Sequence, residues 1–282
     1  MQPERIPLIE FKNVSKHYDS HAAVSELNLT IYRGEFFVLV GGSGSGKSTT
    51  LRMINALTEP TDGNVYFNGR RIKDYDIRPL RHRIGYVLQQ IALFPTMTVA
   101  QNIELMPDIL GWGKAERKAR INELLELVGL PPAQYRRRYP HELSGGEQQR
   151  VGILRAIAAK PDILLMDEPF SALDPLARAS LQETVSLIHK KLGTTIVFVT
   201  HDMGEALKLA CRIGVMQHGR LLQVATPQDI QNHPADDYVR SLFSAAQTND
   251  NAASVIAAFT QLDETEKAEV RAALALGITR DA

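Results

Sequence analysis

Apolar and polar positions alternate along Ile9-Glu10-Phe11-Lys12-Asn13-Val14 and again along Leu27-Asn28-Leu29-Thr30-Ile31-Tyr32. A period of two belongs to a strand with one buried face, so residues from about 7 to 35 are expected as short extended pieces. Phe36-Phe37-Val38-Leu39-Val40 abandons the alternation for a continuous apolar run, the pattern of a strand covered on both faces. A glycine-rich turn follows, and Thr49 to Leu57 reads as a helix. Ile163-Leu164-Leu165-Met166 and Thr195-Ile196-Val197-Phe198-Val199 repeat the buried-strand character with helical stretches between them. That order predicts an α/β fold with a mostly parallel core sheet and an N-terminal antiparallel β subdomain.

Between about 92 and 142 the strand signals vanish. Ala115 to Val128 places Ile121, Leu124, Leu125 and Val128 on one helical face, so this block is expected as a helical insertion. Ile213 to Met216, a turn at Gln217-His218-Gly219-Arg220, and Leu221 to Val224 read as a hairpin. Gln247 to Asn251 looks like a linker, and the alanine-rich remainder to Ala282 has a helical stripe at Val255, Ile256 and Phe259.

The turn after the first buried run carries the most specific chemistry. Gly41-Gly42-Ser43-Gly44-Ser45-Gly46-Lys47-Ser48 fits G-x-x-x-x-G-K-[ST], with a strand before it and a helix after it. Glycines let successive backbone N–H groups curl around a phosphate, and the following helix aims its positive end at the same anion. Lys47 adds a point charge for the β- and γ-oxygens of a nucleoside triphosphate, and the Ser48 hydroxyl is placed to ligate Mg2+. This is a P-loop NTPase signature.

The run 163–166 delivers Asp167-Glu168-Pro169 to a strand's carboxyl end, where open α/β sheets bind ligands. Asp167 is expected to hold the Mg2+ shell, and Glu168 to polarise an attacking water as general base. In Leu143-Ser144-Gly145-Gly146-Glu147-Gln148-Gln149-Arg150, Ser144 and Glu147 form a capping box that opens a helix through Val151, Leu154 and Ile157. Gly145 and Gly146 leave that helix end bare, so its amides can approach a second anion.

Composition adds limits. Lys+Arg is 32 and Asp+Glu is 32 in 282 residues, so no basic field suggests nucleic acid or anionic lipid. The lone cysteine, Cys211, excludes an internal disulfide framework and is expected as a small buried hydrophobe. The first residues show no secretory pattern, and no long uninterrupted apolar window occurs, so any membrane association is expected to run through a partner protein.

The segment 143–150, together with 41–48 and 163–168 in that order, resembles the ABC (ATP-binding cassette) ATPases over residues 5 to about 243. The resemblance implies the ABC ATPase fold, ATP and Mg2+ as ligands, and a head-to-tail dimer. It implies that Tyr18 stacks on adenine and that Gln89, in Tyr86-Val87-Leu88-Gln89-Gln90, contacts Mg2+ and water, with Gln90 leaving the register open. It gives His201 the reading of the γ-phosphate, and gives Ser171-Ala172-Leu173-Asp174 the coupling of the two sites. The implied catalytic set is Glu168, His201, Gln89 and Lys47, and the metal set is Ser48, Gln89 and Asp167. Nucleotide contacts fall to Tyr18, the loop from Gly41 to Ser48, Thr49 and Asp174, while Ser144, Gly145 and Gly146 complete the other subunit's site.

The phrasing of 51–55, 84–95 and 169–175 is similar to the glycine betaine/carnitine/choline importer subfamily. That likeness implies transmembrane permease subunits, a second ATPase copy, indirectly an extracytoplasmic substrate-binding protein, and a peripheral place on the cytoplasmic face of the membrane. An importer of amino acids or polyamines is the alternative cargo class. A cytosolic ABC ATPase acting on DNA or ribosomes, or a non-enzymatic regulator, is disfavoured by the single cassette, the neutral charge and the intact Lys47, Asp167, Glu168 and His201. About 38 residues follow Ser244, too few for the paired CBS modules some members carry, which need on the order of 100 residues. Trp112 is expected to pack within its own subdomain, and Phe94-Pro95 to face a membrane partner.

Overall fold

The computed structural model describes residues 5–19, 21–171, 173–244 and 267. The strands are β1 (Pro7–Tyr18), β2 (His21–Tyr32), β3 (Phe36–Val40), β4 (Asp62–Phe67), β5 (Arg70–Arg71), β6 (Ile84–Val87), β7 (Ile163–Asp167), β8 (Thr195–Thr200), β9 (Arg212–Gln217) and β10 (Arg220–Ala225). The helices are α1 (Lys47–Ile54), α2 (Ile77–His82), α3 (Val99–Ile109), α4 (Lys114–Leu127), α5 (Pro132–Tyr135), α6 (Gly145–Ile157), α7 (Pro175–Leu192), α8 (Met203–Leu209) and α9 (Pro227–Asn232).

Two sheets organise the chain. One is antiparallel, in the order β2-β1-β4-β5, and the other runs β10-β9-β3-β8-β7-β6 with β9, β3, β8, β7 and β6 parallel. β1 and β2 are longer than the short pieces expected, at 12 residues each. The alternation slips where Phe11 and Val14, three residues apart, are both buried, and β1 absorbs this as a bulge with Asn13 at φ +51°. Leu51, Met53 and Ile54 of α1 share one core with Ile9, Ile31 and Phe67 of the antiparallel sheet and Phe37, Leu165 and Val199 of the parallel one.

β3, β8 and β7 are the middle of the second sheet, and each is buried along its whole length. Val40 pairs with Thr200, and Asp167 with Val199, so the three strands end almost level. Their carboxyl ends therefore present three loops side by side. Between β6 and β7 every described element is helical, and Ile121, Leu124, Leu125 and Val128 are all buried, as their spacing predicts.

Cys211 corrects the sequence expectation, because it is exposed. It stands in the bend before β9, where its N–H is fixed by the Phe36 carbonyl at 2.8 Å and its side chain meets solvent. Residues up to Ala235 form one compact unit and residues from Asp236 a second, in which 237 to 244 are helical. The expected linker at 247–251 and the stripe at Val255, Ile256 and Phe259 lie outside the described residues. Among the described residues no helix is long and apolar enough to cross a membrane.

Candidate functional site

The loop from Gly41 to Gly46 joins β3 to α1 under tight backbone constraint. Gly41 sits at φ +153°, and a Cβ there would lie 2.1 Å from the Met216 carbonyl oxygen of β9. Gly46 sits at φ +101°, and a Cβ there would lie 2.4 Å from the Ala23 carbonyl oxygen of β2. Both glycines are thus required by neighbouring backbone that cannot swing away. Gly42, Ser43 and Gly44 stay exposed at the crest, whereas Ser45 and Lys47 are buried.

Lys47 runs back beneath the loop. Its Nζ donates to the carbonyls of Gly41 and Gly42 at 2.8 Å each and lies 3.4 Å from Ser45 Oγ. Burial pushes its pKa down, while the negative charges of Glu168 and Asp167 pull it back up. At the next residue, Ser48 Oγ donates to Asp167 Oδ1 at 2.9 Å, joining the phosphate-type loop to the end of β7.

Glu168 leaves β7 in the left-handed region, at φ +45°, a conformation that costs a non-glycine residue on the order of 1 kcal/mol or more. Its N–H is bound by the Val199 carbonyl at 3.0 Å, and its carbonyl accepts from Ser171 Oγ at 3.0 Å. Those bonds hold the strained turn and aim the carboxylate across β8, where Oε2 is 3.0 Å from His201 Nδ1. Gln89 reaches the same turn, with Nε2 donating to Ser171 Oγ at 3.3 Å. That contact distinguishes Gln89 from its neighbour Gln90. Gln149, buried on α6, donates to the Pro169 carbonyl at 2.8 Å and braces the turn from below.

Hydrogen bonds thus join Ser48 to Asp167, and join Glu168 to His201 and through Ser171 to Gln89, and the peptide bond from Asp167 to Glu168 makes these two sets one cluster. Five predicted positions, Tyr18, Ser144, Gly145, Gly146 and Asp174, fall in three regions outside these bonds. Tyr18 ends β1 with its ring exposed and Lys16 Nζ 5.0 Å from the ring centroid, and its neighbour His17 pairs with Ala22 beside the Ala23 that walls Gly46. Ser144 caps α6 in the expected capping box, its N–H donating to Glu147 Oε2 at 2.8 Å, and Gly145 faces open space. Asp174 caps α7 by accepting from the N–H groups of Leu176 and Ala177 at 3.1 and 3.0 Å. Trp112 is half-buried with Lys160 Nζ 5.5 Å from its ring, and Phe94 is exposed beneath the Arg155 guanidinium.

Sequence reasoning passed over a group just behind His201. Thr200, Asp202 and Glu205 form a closed set of hydrogen bonds, and Arg178 of α7 lies 3.5 Å from Asp202. The signal was present as Asp202-x-x-Glu205, an N-cap spacing before a helix. Tyr135, whose hydroxyl donates to Glu147 Oε1 at 2.6 Å, was likewise missed.

Residues 24–171 match the family model described as ABC transporter, just over half of the chain. The chain belongs to the ABC transporter family. Among its ABC relatives, it is 48% identical over 266 residues to the choline transport ATP-binding protein OpuBA of Bacillus subtilis (strain 168), covering 94% of this chain and 70% of that one. It is 51% identical over 233 residues to the glycine betaine/carnitine/choline transport ATP-binding protein OpuCA of the same organism, covering 82% of this chain and 61% of that one. The chain therefore spans under two thirds of OpuCA. A dimeric, post-hydrolysis structure of the ATP-binding cassette MJ0796 bound to ADP and Pi superposes with a TM-score of 0.68 at 35% identity, covering 78% of this chain and 99% of that one. The ABC cassette fold expected from the motif order is the fold observed.

Proposed function

We propose that this chain is the ATP-hydrolysing subunit of an ABC importer for quaternary-amine osmoprotectants such as glycine betaine, carnitine or choline. The observation that carries the ATPase reading is the continuous link from the glycine loop through Ser48 and Asp167 to Glu168 and His201. The cargo reading is supported by the choline and glycine betaine/carnitine/choline relatives, which are identical to this chain at about half of the aligned positions.

In this reading the amides of Gly42 to Lys47 and the Lys47 ammonium bind the triphosphate of ATP, with Thr49 beside them and Tyr18 against the adenine. Ser48, Asp167 and Gln89 offer hydroxyl, carboxylate and amide oxygens, a hard donor set that fits Mg2+. The ion, when bound, supplies charge neutralisation at the β- and γ-oxygens. Glu168 accepts the proton of the attacking water. His201, whose Nδ1 lies 3.0 Å from Glu168 Oε2, contacts the γ-phosphate through its ring.

Ser144, Gly145 and Gly146 would complete the site of a second copy, with Asp174 and its loop at the seam. ATP then acts as the glue of a head-to-tail dimer placed against permease subunits on the cytoplasmic face of the membrane, an extracytoplasmic binding protein delivering cargo. The cassette domain in this reading spans residues 5–243, running past the first compact unit, which ends at Ala235, into the helical residues that follow, with its helical subdomain at 92–142.

Glu168→Gln is expected to abolish ATP turnover while preserving ATP-dependent dimerisation by analytical ultracentrifugation. Turnover at the wild-type rate would remove Glu168 from the role of base. In vesicles reconstituted with the permease and binding protein, choline or betaine should stimulate hydrolysis. Stimulation by amino acids or polyamines alone would replace the cargo assignment.

A further inference from the structure

The network behind His201 is not used by any step above. Glu205, the third residue of α8, is 5% exposed, and its carboxyl has no place in nucleotide or metal binding. Thr200 Oγ1 donates to Glu205 Oε2 at 2.7 Å and accepts from the Asp202 N–H at 3.0 Å. Asp202 Oδ1 accepts in turn from the Glu205 N–H at 3.1 Å. His201 is thus enclosed in sequence by two residues that both answer to Glu205. A small cleft of about 40 Å³ is lined by Glu168, His201, Arg178 and Glu205 among others, so the network opens on the reacting groups. Arg178 ties it to α7, with Nη1 3.5 Å from Asp202 Oδ2 and Nη2 3.5 Å from the Leu173 carbonyl.

We propose that Glu205 is a positioning residue that holds the 200–202 turn, and through it the imidazole of His201, in the orientation that meets Glu168. The physical argument is geometric. His201 is exposed and its ring is held by the bond to Glu168, so the backbone on either side decides whether the ring can reach that partner. That backbone is fixed by a buried acceptor, and misplacing a reacting group by about 1 Å can cost on the order of a hundredfold in rate. The proposal rests on the assignment of Glu168 and His201 above, in that the rate effect requires them; the ordering of the turn does not.

The test uses the full chain carrying Glu205→Leu, Thr200→Val or Glu205→Gln. Hydrogen exchange at the Asp202 and Glu205 amides is read beside steady-state ATP hydrolysis. Glu205→Leu and Thr200→Val should speed exchange at both amides and lower kcat about tenfold or more, with KM for ATP nearly unchanged. Glu205→Gln keeps a carbonyl acceptor for Thr200 and should stay near wild type in both. Adding Glu205→Leu to His201→Ala should produce no further loss, because the first acts only through the second. Unaltered exchange in Glu205→Leu and Thr200→Val, or losses that multiply with His201→Ala, would overturn the proposal. Faster exchange in a chain whose wild type does not hydrolyse ATP would uphold the ordering of the turn and overturn the ATPase reading instead. Should Glu205→Leu not fold, Thr200→Val and Glu205→Gln give the same contrast.

Discussion

Replacing Glu205 by glutamine should make the protein more resistant to unfolding at alkaline pH and leave it nearly unchanged at acid pH. Burial raises the Glu205 pKa from 4.5 to about 7, and the Asp202 charge adds to that, against the Thr200 hydroxyl, Arg178 and His201, which favour the ionised form. The folded state therefore keeps the proton that the unfolded chain has already released. The stabilisation this group contributes is whole below pH 4.5 and is lost as pH rises through about 7. A shift from 4.5 to about 7 corresponds to roughly 3 kcal/mol, most of which falls between pH 5 and 8. Glutamine has the same shape, still accepts from Thr200 and does not titrate. The stability of Glu205→Gln relative to wild type should thus improve by roughly 2 to 3 kcal/mol from pH 5 to 8, a large part of an ordinary folding free energy. Urea unfolding followed by fluorescence of Trp112, the single tryptophan, reads the unit that contains both residues. A difference between the two proteins that stays flat with pH would refute a buried, late-ionising carboxyl.

Gly46→Ala combines a left-handed φ with a Cβ 2.4 Å from backbone, so it should cost roughly 3 kcal/mol and lower the Tm as well as nucleotide affinity. Gly145→Ala meets open space, so thermal unfolding should show it unchanged, while ultracentrifugation should show weaker ATP-dependent dimerisation. Cys211, being exposed, should titrate with Ellman's reagent in the native protein; a thiol that reacts only after denaturation would contradict its placement.

The parts of the fold that were legible in the sequence are those whose burial is extreme. The runs 36–40, 163–166 and 196–199 are apolar because sheet neighbours and helices cover both faces, and they could not be mistaken. β5, with only Arg70 and Arg71, has no apolar pattern to read, since its pairing with β4 is backbone alone. At the site, the residues proposed to hold nucleotide and metal stood out, because glycine, lysine and carboxylate spacing is local in the chain. Ser171 did not stand out as the hinge between Gln89 and Glu168, because 82 residues separate it from one of them. Thr200 and Glu205 were hidden for the opposite reason: their partners are local, and a threonine in a strand or a glutamate in a helix looks ordinary. The left-handed backbone of Glu168 is imposed by bonds to Val199 and Ser171 and has no signature in its own residue type.

The nearly level ends of β3, β8 and β7 make the sheet a ruler for inserting or deleting residues. Val40 faces Thr200 and Val199 faces Asp167 across buried strands with no slack. Removing one residue from β8 would draw His201 back by about 3.3 Å and turn alternate side chains to the opposite face. The loops of the helical block between β6 and β7 carry no such gauge. Tolerance to changes in chain length should therefore map onto the molecule as a sharp boundary, permissive in that helical block and forbidding within the three central strands. A scanning-insertion library would draw that boundary without any knowledge of what the protein binds.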